Sequence, residues 1–487
     1  MTGEMTASSF SEILPLAPLQ RGLLFEHLLA GETADAYLVQ LVLSVRGPLD
    51  HRRLRTAAEL LLARHANLRA GFLHDGLSQP VQVIPHQAGL PWRELDRSGT
   101  PAAGRAGSLA SIAAAEQQPG FDLRRPPAMR FAVIRWSPDE HSVIFTHHHI
   151  LLDGWSLGLF AQQLFELYEA RGAESALPPQ VPYRELFSWL SRQDQEAAGE
   201  AWRHELDDVR PLLLGRHRAA GPDSPANGEL NLEIGQDLSD RLAGIARGLH
   251  LTASTMFLGM WGIVLGSFTG SNDVVFGTTI SGRSPEIQGI ESAVGLYANT
   301  IPVRVSWSAQ DCVADVLTAF QTRQLALSGH NWMSLADIQE LSGQRSLFDT
   351  LAIFANYPAA AELGDTSAAE LAVTGDVTSD RTHYALDVLA IPGDQLRIRI
   401  QYSRRLCADE TAEALAGRLV RLMEAVAAEP RLRVSQIDLL GVVERGLVVG
   451  GWNETGVGVV GGTLPGLFGV RAGLCPDVVA VVCGGER

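Results

Sequence analysis

The chain has 487 residues, 46% of them hydrophobic, and a mean hydropathy of +0.06, which describes a globular protein with room for two or three domains. Its net charge of −16, from 39 basic against 55 acidic side chains, argues against a nucleic-acid partner, because phosphate binding needs basic surface. No basic start leads into an apolar run, no apolar stretch nears the ~20 residues of a membrane span, and Cys312, Cys407, Cys475 and Cys483 are scattered without a C-x-x-C pair. These features set the expectation of a cytoplasmic protein in a reducing compartment, with no membrane partner and no metal site.

In chain order, Ile13-Leu14-Pro15-Leu16-Ala17-Pro18-Leu19-Gln20-Arg21-Gly22-Leu23-Leu24-Phe25 begins extended and turns helical, with Pro18 near the helix start. Residues 37–45 have strand character. Residues 53–64 form an amphipathic helix through Leu54, Ala58, Leu61 and Leu62, and Arg64 to Phe72 leads on towards another strand. The Ala, Gly, Ser and Pro of residues 87–118 predict a surface loop followed by a helix, and residues 129–136 a further strand.

Next comes His147-His148-His149-Ile150-Leu151-Leu152-Asp153-Gly154-Trp155-Ser156. Ser142-Val143-Ile144-Phe145 before it has the apolar, β-branched and aromatic character of a strand buried on both faces. After it, Leu157, Phe160, Leu164, Leu167 and Tyr168 recur at helical spacing, with Ser156 placed as the cap. Alternation along the strand predicts that His147 and His149 share one side while His148 takes the other. Three histidines leaving a core strand each need a hydrogen-bond partner. They admit three readings: a polar plug satisfied by backbone, a zinc site with Asp153, or a catalytic group.

The first lobe ends near Arg171, and residues 174–182, with Pro178, Pro179 and Pro182, read as a link. Beyond Pro182-Tyr183-Arg184-Glu185-Leu186-Phe187-Ser188-Trp189-Leu190, residues 252–268 predict a strongly apolar helix, residues 270–273 a turn, and residues 274–279 a strand. Ser281-Gly282-Arg283 and Val294-Gly295-Leu296-Tyr297-Ala298-Asn299-Thr300 follow. An Asn-Thr pair in an apolar strand calls for partners from a site or a neighbouring turn. A helix carrying Val313, Val316, Leu317 and Phe320 has a capping box at Ser308 to Asp311. A hairpin over residues 386–402 turns at Pro392-Gly393-Asp394, and residues 412–426 give a last amphipathic helix. Residues 446–487 are rich in Gly and Val and are expected to pack poorly.

His148-His149-x-x-x-Asp153-Gly154 resembles the HHxxxDG motif of the condensation domains of nonribosomal peptide synthetases, within the superfamily of chloramphenicol acetyltransferase. The resemblance extends in order over residues 10–435. It takes in Leu14 to Phe25, Arg64 to Phe72, Pro182 to Leu190, Gly295 to Thr300, His330-Asn331-Trp332-Met333-Ser334-Leu335, and Leu347 to Leu351 with Asn356-Tyr357-Pro358. It implies an α+β fold of two chloramphenicol acetyltransferase-like lobes, residues 10–173 and 174–435, forming a V-shaped pseudo-dimer around a central tunnel. Residues 436–487, with Trp452-Asn453-Glu454-Thr455 and Asp477 to Val482, resemble a linker and the truncated start of an adenylation domain.

The implied reaction is peptide-bond formation between a donor thioester and an acceptor amine. Both are delivered on the phosphopantetheine arms of upstream and downstream peptidyl carrier domains beside an adjacent adenylation domain, and no cofactor is bound intrinsically. His149 is the implied catalytic residue, as general base or as the group that orients the amine, with His148 supporting it from the other side of the strand. Asp153 is implied to be structural and paired with Arg283, and Gly154 to let backbone approach the tunnel. Trp155, Asn299 and Tyr297 are the expected tunnel or substrate-positioning residues. An epimerisation domain, a cyclisation domain, a recruiting platform of the same fold and a coenzyme A-dependent acyltransferase are the alternatives. The intact histidines speak against cyclisation and against a degraded platform, and the later Glu-Gly-His signature of epimerisation domains is not found. The stretches Leu14 to Phe25 and His148 to Ser156 resemble the subgroup that accepts donors ending in a D-residue. Glu26-His27 is the nearest counterpart to the extra His-His motif of dual epimerising and condensing members.

Overall fold

The computed structural model describes residues 10–31, 37–118, 120–216, 227–355, 366–368, 371–379, 382–456, 462–479 and 484. The chain divides into a large unit, Met1–Leu439, and a small one, Leu440–Arg487. The large unit is α+β and is built on two six-stranded sheets. The first sheet runs in the order Thr366–Ala368, Leu371–Ser379, Leu38–Arg46, Glu140–His148, Met129–Ser137, Trp92–Asp96. The second runs Asn299–Ser306, Asp273–Ile280, Thr350–Phe354, Leu386–Ile391, Leu396–Ser403, Asn227–Ile234.

The period of two explains why the central strands of the first sheet are apolar on both faces. Leu41, Leu43, Val45, Val143 and Phe145 point into a core shared with helices His51–Arg64 and Gly154–Glu169. Val42 and Ile144 point the other way, against Ile112 of helix Ala102–Gln117. The second sheet packs on helix Ala253–Thr269, which is buried over Thr255 to Gly266. Thr252 caps that helix by accepting from Thr255 N at 3.0 Å.

Three expectations need correction. Strand Trp92–Asp96 lies in the stretch read as loop; it pairs in parallel with Phe131 to Arg135 at the sheet edge, where two apolar residues in five gave little signal. The boundary at 173/174 does not separate the sheets, because Leu371–Ser379 crosses back and pairs Val373 with Val45 in the first lobe. Ser308 and Asp311 close a turn, Asp311 accepting from Ser308 N at 2.7 Å, but the following helix starts at Val313 with Cys312 at its cap position. Within the small unit, helix Leu464–Leu474 buries no residue. Asn356, Tyr357, Pro358, Cys483 and the end of the Asp477 to Val482 segment lie outside the described residues.

Candidate functional site

Strand Glu140–His148 brings its histidines into three different surroundings. His147 is 1% exposed, its ring stacks on Phe145 at 5.0 Å, and its Nδ1 donates to the His148 carbonyl at 3.1 Å. Burial lowers its pKa to about 3, so it is a neutral core group. His148 is fully buried; its Nδ1 accepts from Ile150 N at 3.0 Å, which fixes the ring and puts its proton on Nε2. The regular strand stops there. His149 makes one more ladder bond, its N–H to Tyr37 O at 2.8 Å, and its side chain lines a cavity of about 1240 Å³. His147 and His149 therefore do not share surroundings, since alternation predicts sides only while the strand continues.

The cavity is walled by helix Pro18–Ala30 and the histidine turn on one side. Facing them are Ile353, Asp387, Leu389, Arg399 and Gln401 of the second sheet. Trp155 and Asn299 line it, as do Asp153 and Gly154 at the start of helix Gly154–Glu169. Trp155 Nε1 donates to Glu291 O at 2.9 Å. Asn299 Nδ2 donates to Asn331 O at 2.9 Å and to Met333 O at 2.7 Å, so a neighbouring turn satisfies its amide donors, while its buried Oδ1 has no partner among the described residues. Tyr297 is not among the residues lining the cavity. It is 5% exposed and edge-on to Tyr183 at 5.4 Å, and burial raises its phenol pKa.

Asp153, and not Ser156, caps the helix, its Oδ1 accepting from Ser156 N at 2.7 Å. Its Oδ2 accepts from Tyr297 N at 2.9 Å and Ala298 N at 3.1 Å. Arg283 Nη2 stands 3.4 Å from Asp153 Oδ1, with both side chains 4% exposed. Arg283 also donates to Ser156 Oγ at 2.8 Å and Ala293 O at 2.9 Å, and its guanidinium lies 4.6 Å from the Tyr297 ring centroid. The expected pair thus exists, inside a larger brace from the histidine turn to segment 293–298. Gly282 is required beside it: φ is +62°, and a Cβ there would stand 1.8 Å from Tyr297 O.

The wall also carries Tyr37 and His383, which no motif or spacing in the sequence marks as a site, and Glu26 of the Glu26-His27 pair. Tyr37 is hydrogen-bonded through its hydroxyl to His383 Nδ1, and Glu26 Oε1 lies 3.9 Å from His383 Nε2. His27, which does not line the cavity, packs edge-on to His148 at 5.3 Å. Among the described residues no group of three or more His, Cys, Asp or Glu is arranged to hold a metal ion, and no single helix is long and apolar enough to cross a membrane.

A family model described as Condensation domain matches residues 11–447. A linear gramicidin synthase chain of Brevibacillus parabrevis is 33% identical over 459 residues, which are 92% of this chain and 6% of that protein. Bacitracin synthase 3 of Bacillus licheniformis is 31% identical over 489 residues, 98% of this chain and 8% of the synthase. The chain therefore spans less than a tenth of the length of these two curated relatives. In fold it is similar to the first condensation domain of the calcium-dependent antibiotic synthetase in complex with a substrate analogue, with a TM-score of 0.71 at 20% identity, covering 88% of this chain and all of that one.

Proposed function

Since this chain belongs to the condensation-domain family, we infer that it joins a carrier-bound donor thioester to the amine of a carrier-bound acceptor in nonribosomal peptide synthesis, in the cytoplasm. The observation that carries this reading is the intact His148-His149-x-x-x-Asp153-Gly154 with His149 on the wall of a cavity of about 1240 Å³. That space suits two extended arms meeting end to end, with phosphopantetheine as their chemistry and peptidyl carrier domains as partners beside an adenylation domain.

The thioester is already activated and a free amine is a good nucleophile, so much of the acceleration comes from holding the two in line, on the order of 7–11 kcal/mol in favourable cases. The amine nitrogen attacks the thioester carbonyl, the C–N bond forms, the C–S bond breaks, and the proton lost by nitrogen ends on the released thiol. His149 is the residue that receives or orients that proton. His148, fixed by Ile150 N, keeps the turn in place, and Asp153 with Arg283 keeps the turn against segment 293–298. Trp155 and Asn299 shape the wall beside the reacting groups.

The test is a reaction with separately loaded donor and acceptor carrier domains. Amide product supports condensation; inverted donor stereochemistry without amide assigns epimerisation; carrier binding without turnover assigns a recruiting platform.

A further inference from the structure

The second sheet turns one face to the cavity across strands Thr350–Phe354, Leu386–Ile391 and Leu396–Ser403. Leu351 pairs with Asp387 and Asp387 with Gln401; on the next rung of that face Ile353 pairs with Leu389 and Leu389 with Arg399. The period of two sends these six side chains to one side, and all six line the cavity. Their alternates Ala352, Val388, Ile398 and Ile400 belong to the core behind the sheet. Ile353 and Leu389 therefore make an apolar floor across two strands. Arg399 stands at its end, one strand spacing of about 4.8 Å beyond Leu389.

The cavity wall holds three guanidiniums in different states. Arg21 is paired with Asp337 at 2.9 Å, and Arg345 is exposed to solvent. Arg399 is half-buried, and among the described residues its side chain has no hydrogen bond and no ion pair; its Nε is buried without an acceptor. The carboxylates nearest in register are engaged elsewhere. Glu229 Oε2 accepts from Gln401 Nε2 at 3.0 Å and Glu229 Oε1 from Asn231 Nδ2 at 2.9 Å. Asp387 Oδ2 accepts from Thr382 Oγ1 at 2.5 Å, and Glu233 sits opposite Arg397 and not opposite Arg399. An arginine stays charged and carries five N–H donors in a planar fork that matches the two oxygens of a carboxylate. With Nε shut off from water, this fork lacks the acceptor that buried polar groups ordinarily have.

We propose that Arg399 is a specificity-determining residue: it binds the side-chain carboxylate of an aspartate or glutamate on one of the two residues being joined, with the methylenes of that side chain lying on Ile353 and Leu389. This rests on the amide-forming reading above. The phosphate of a phosphopantetheine arm is the other anion that reading brings to the cavity, and it fits less well. An apolar floor suits methylenes and offers the remaining oxygens of a phosphate no donor. The matching amide, asparagine or glutamine, keeps the shape of the acid but loses the charge-assisted bonds and leaves the guanidinium unpaired. No bond is made or broken at Arg399; it selects by binding.

The experiment measures kcat/KM for amide formation by the full chain as wild type, Arg399→Gln and Arg399→Lys, using loaded carriers. One arm varies the acceptor residue between Glu and Gln and between Asp and Asn against a neutral donor. The other arm varies the terminal donor residue in the same way against a neutral acceptor. The wild type is expected to prefer an acid over its amide by about 10–100-fold in one arm, and that arm identifies the residue bound. Arg399→Gln loses the preference through a fall in rate with the acid; Arg399→Lys, which keeps the charge without the fork, narrows it. Equal rates for acid and amide in both arms of the wild type overturn the site. A preference that survives Arg399→Gln overturns it too, and rates that fall together for acid and amide assign Arg399 to the phosphate of the arm. Should Arg399→Gln fail to fold by its melting profile, Arg399→Lys decides, and an unchanged preference there overturns the contact. Absence of amide from the wild type with every pair strikes the underlying function. The site is then read from the binding of carriers that bear the acid or the amide through a non-hydrolysable link: tighter binding of the acid, lost in Arg399→Gln, supports it and equal affinities overturn it.

Discussion

Replacing Asp153 with alanine tests how the histidine turn is braced. The carboxylate is 4% exposed and accepts from Ser156 N, Tyr297 N and Ala298 N at 2.7, 2.9 and 3.1 Å, with Arg283 Nη2 at 3.4 Å. Alanine deletes a helix cap worth about 1 kcal/mol. It leaves two buried backbone donors unsatisfied at about 1–3 kcal/mol each, and a buried guanidinium without its carboxylate at about 3–5 kcal/mol. These terms describe the same lost oxygens and do not add. Arg283 also keeps its bonds to Ser156 Oγ and Ala293 O, which moderates the loss. The expected cost is about 3–5 kcal/mol in all. Denaturant unfolding of Asp153→Ala, Arg283→Met and the double variant measures it. The double variant should be less destabilised than the sum of the singles by about 1–3 kcal/mol, because it removes the uncompensated charge as well. An unchanged midpoint in Asp153→Ala, or strict additivity, refutes the brace.

His149→Ala should slow amide formation by about 10²–10⁴-fold while melting and carrier binding stay as in wild type; near wild-type rates from the folded variant would exclude His149 from the chemistry. His147 and His65 are held neutral, burial lowering them from 6.5 to about 3 and about 4. Because these folded-state values are depressed, their contribution is complete above pH 6.5 and is lost as pH falls towards 4 and then 3. The unfolded chain takes up protons first, at about 1.4 kcal/mol per pH unit for each histidine. His147→Phe, which can keep the stack on Phe145, should flatten the acid slope of stability, and an equal slope counts against the burial argument. Matched D- and L-ended donor thioesters should show faster amide formation with the D-ended donor; a preference for the L-ended one overturns that subgroup while leaving condensation untouched. Such discrimination would come from a clash at the donor α-carbon and not from an added attraction.

Much of the site was legible because its chemistry is local in sequence. Histidines at a strand end, an Asp-Gly turn and a helix at 3.6-residue spacing fall within a few turns of chain, so pattern and turn rules reach them. The pairing of Asp153 with Arg283, 130 positions apart, came from the family resemblance; spacing and periodicity carry no trace of it. The cap was misassigned for a physical reason: Asp153 and Ser156 are both good capping residues, and only the close approach of segment 293–298 engages Ser156 Oγ with Gly295 O at 2.6 Å and leaves the cap to Asp153.

What stayed hidden depends on register. Tyr37 reads in sequence as the first residue of an ordinary strand, and Thr382 to Tyr384 lie ahead of the hairpin over residues 386–402, where no motif marks them. Their proximity follows from two pairings: Leu38–Arg46 with Glu140–His148, and Leu371–Ser379 with Leu38–Arg46. A slip of one residue in the first pairing would turn Tyr37 away from the His149 side of the ladder. The apolar alternation that commits Leu41, Leu43 and Val45 to the core is what prevents that slip. The core pattern of one strand thus fixes which side chain stands beside the motif, and residues far from the cavity determine its chemistry by holding the register.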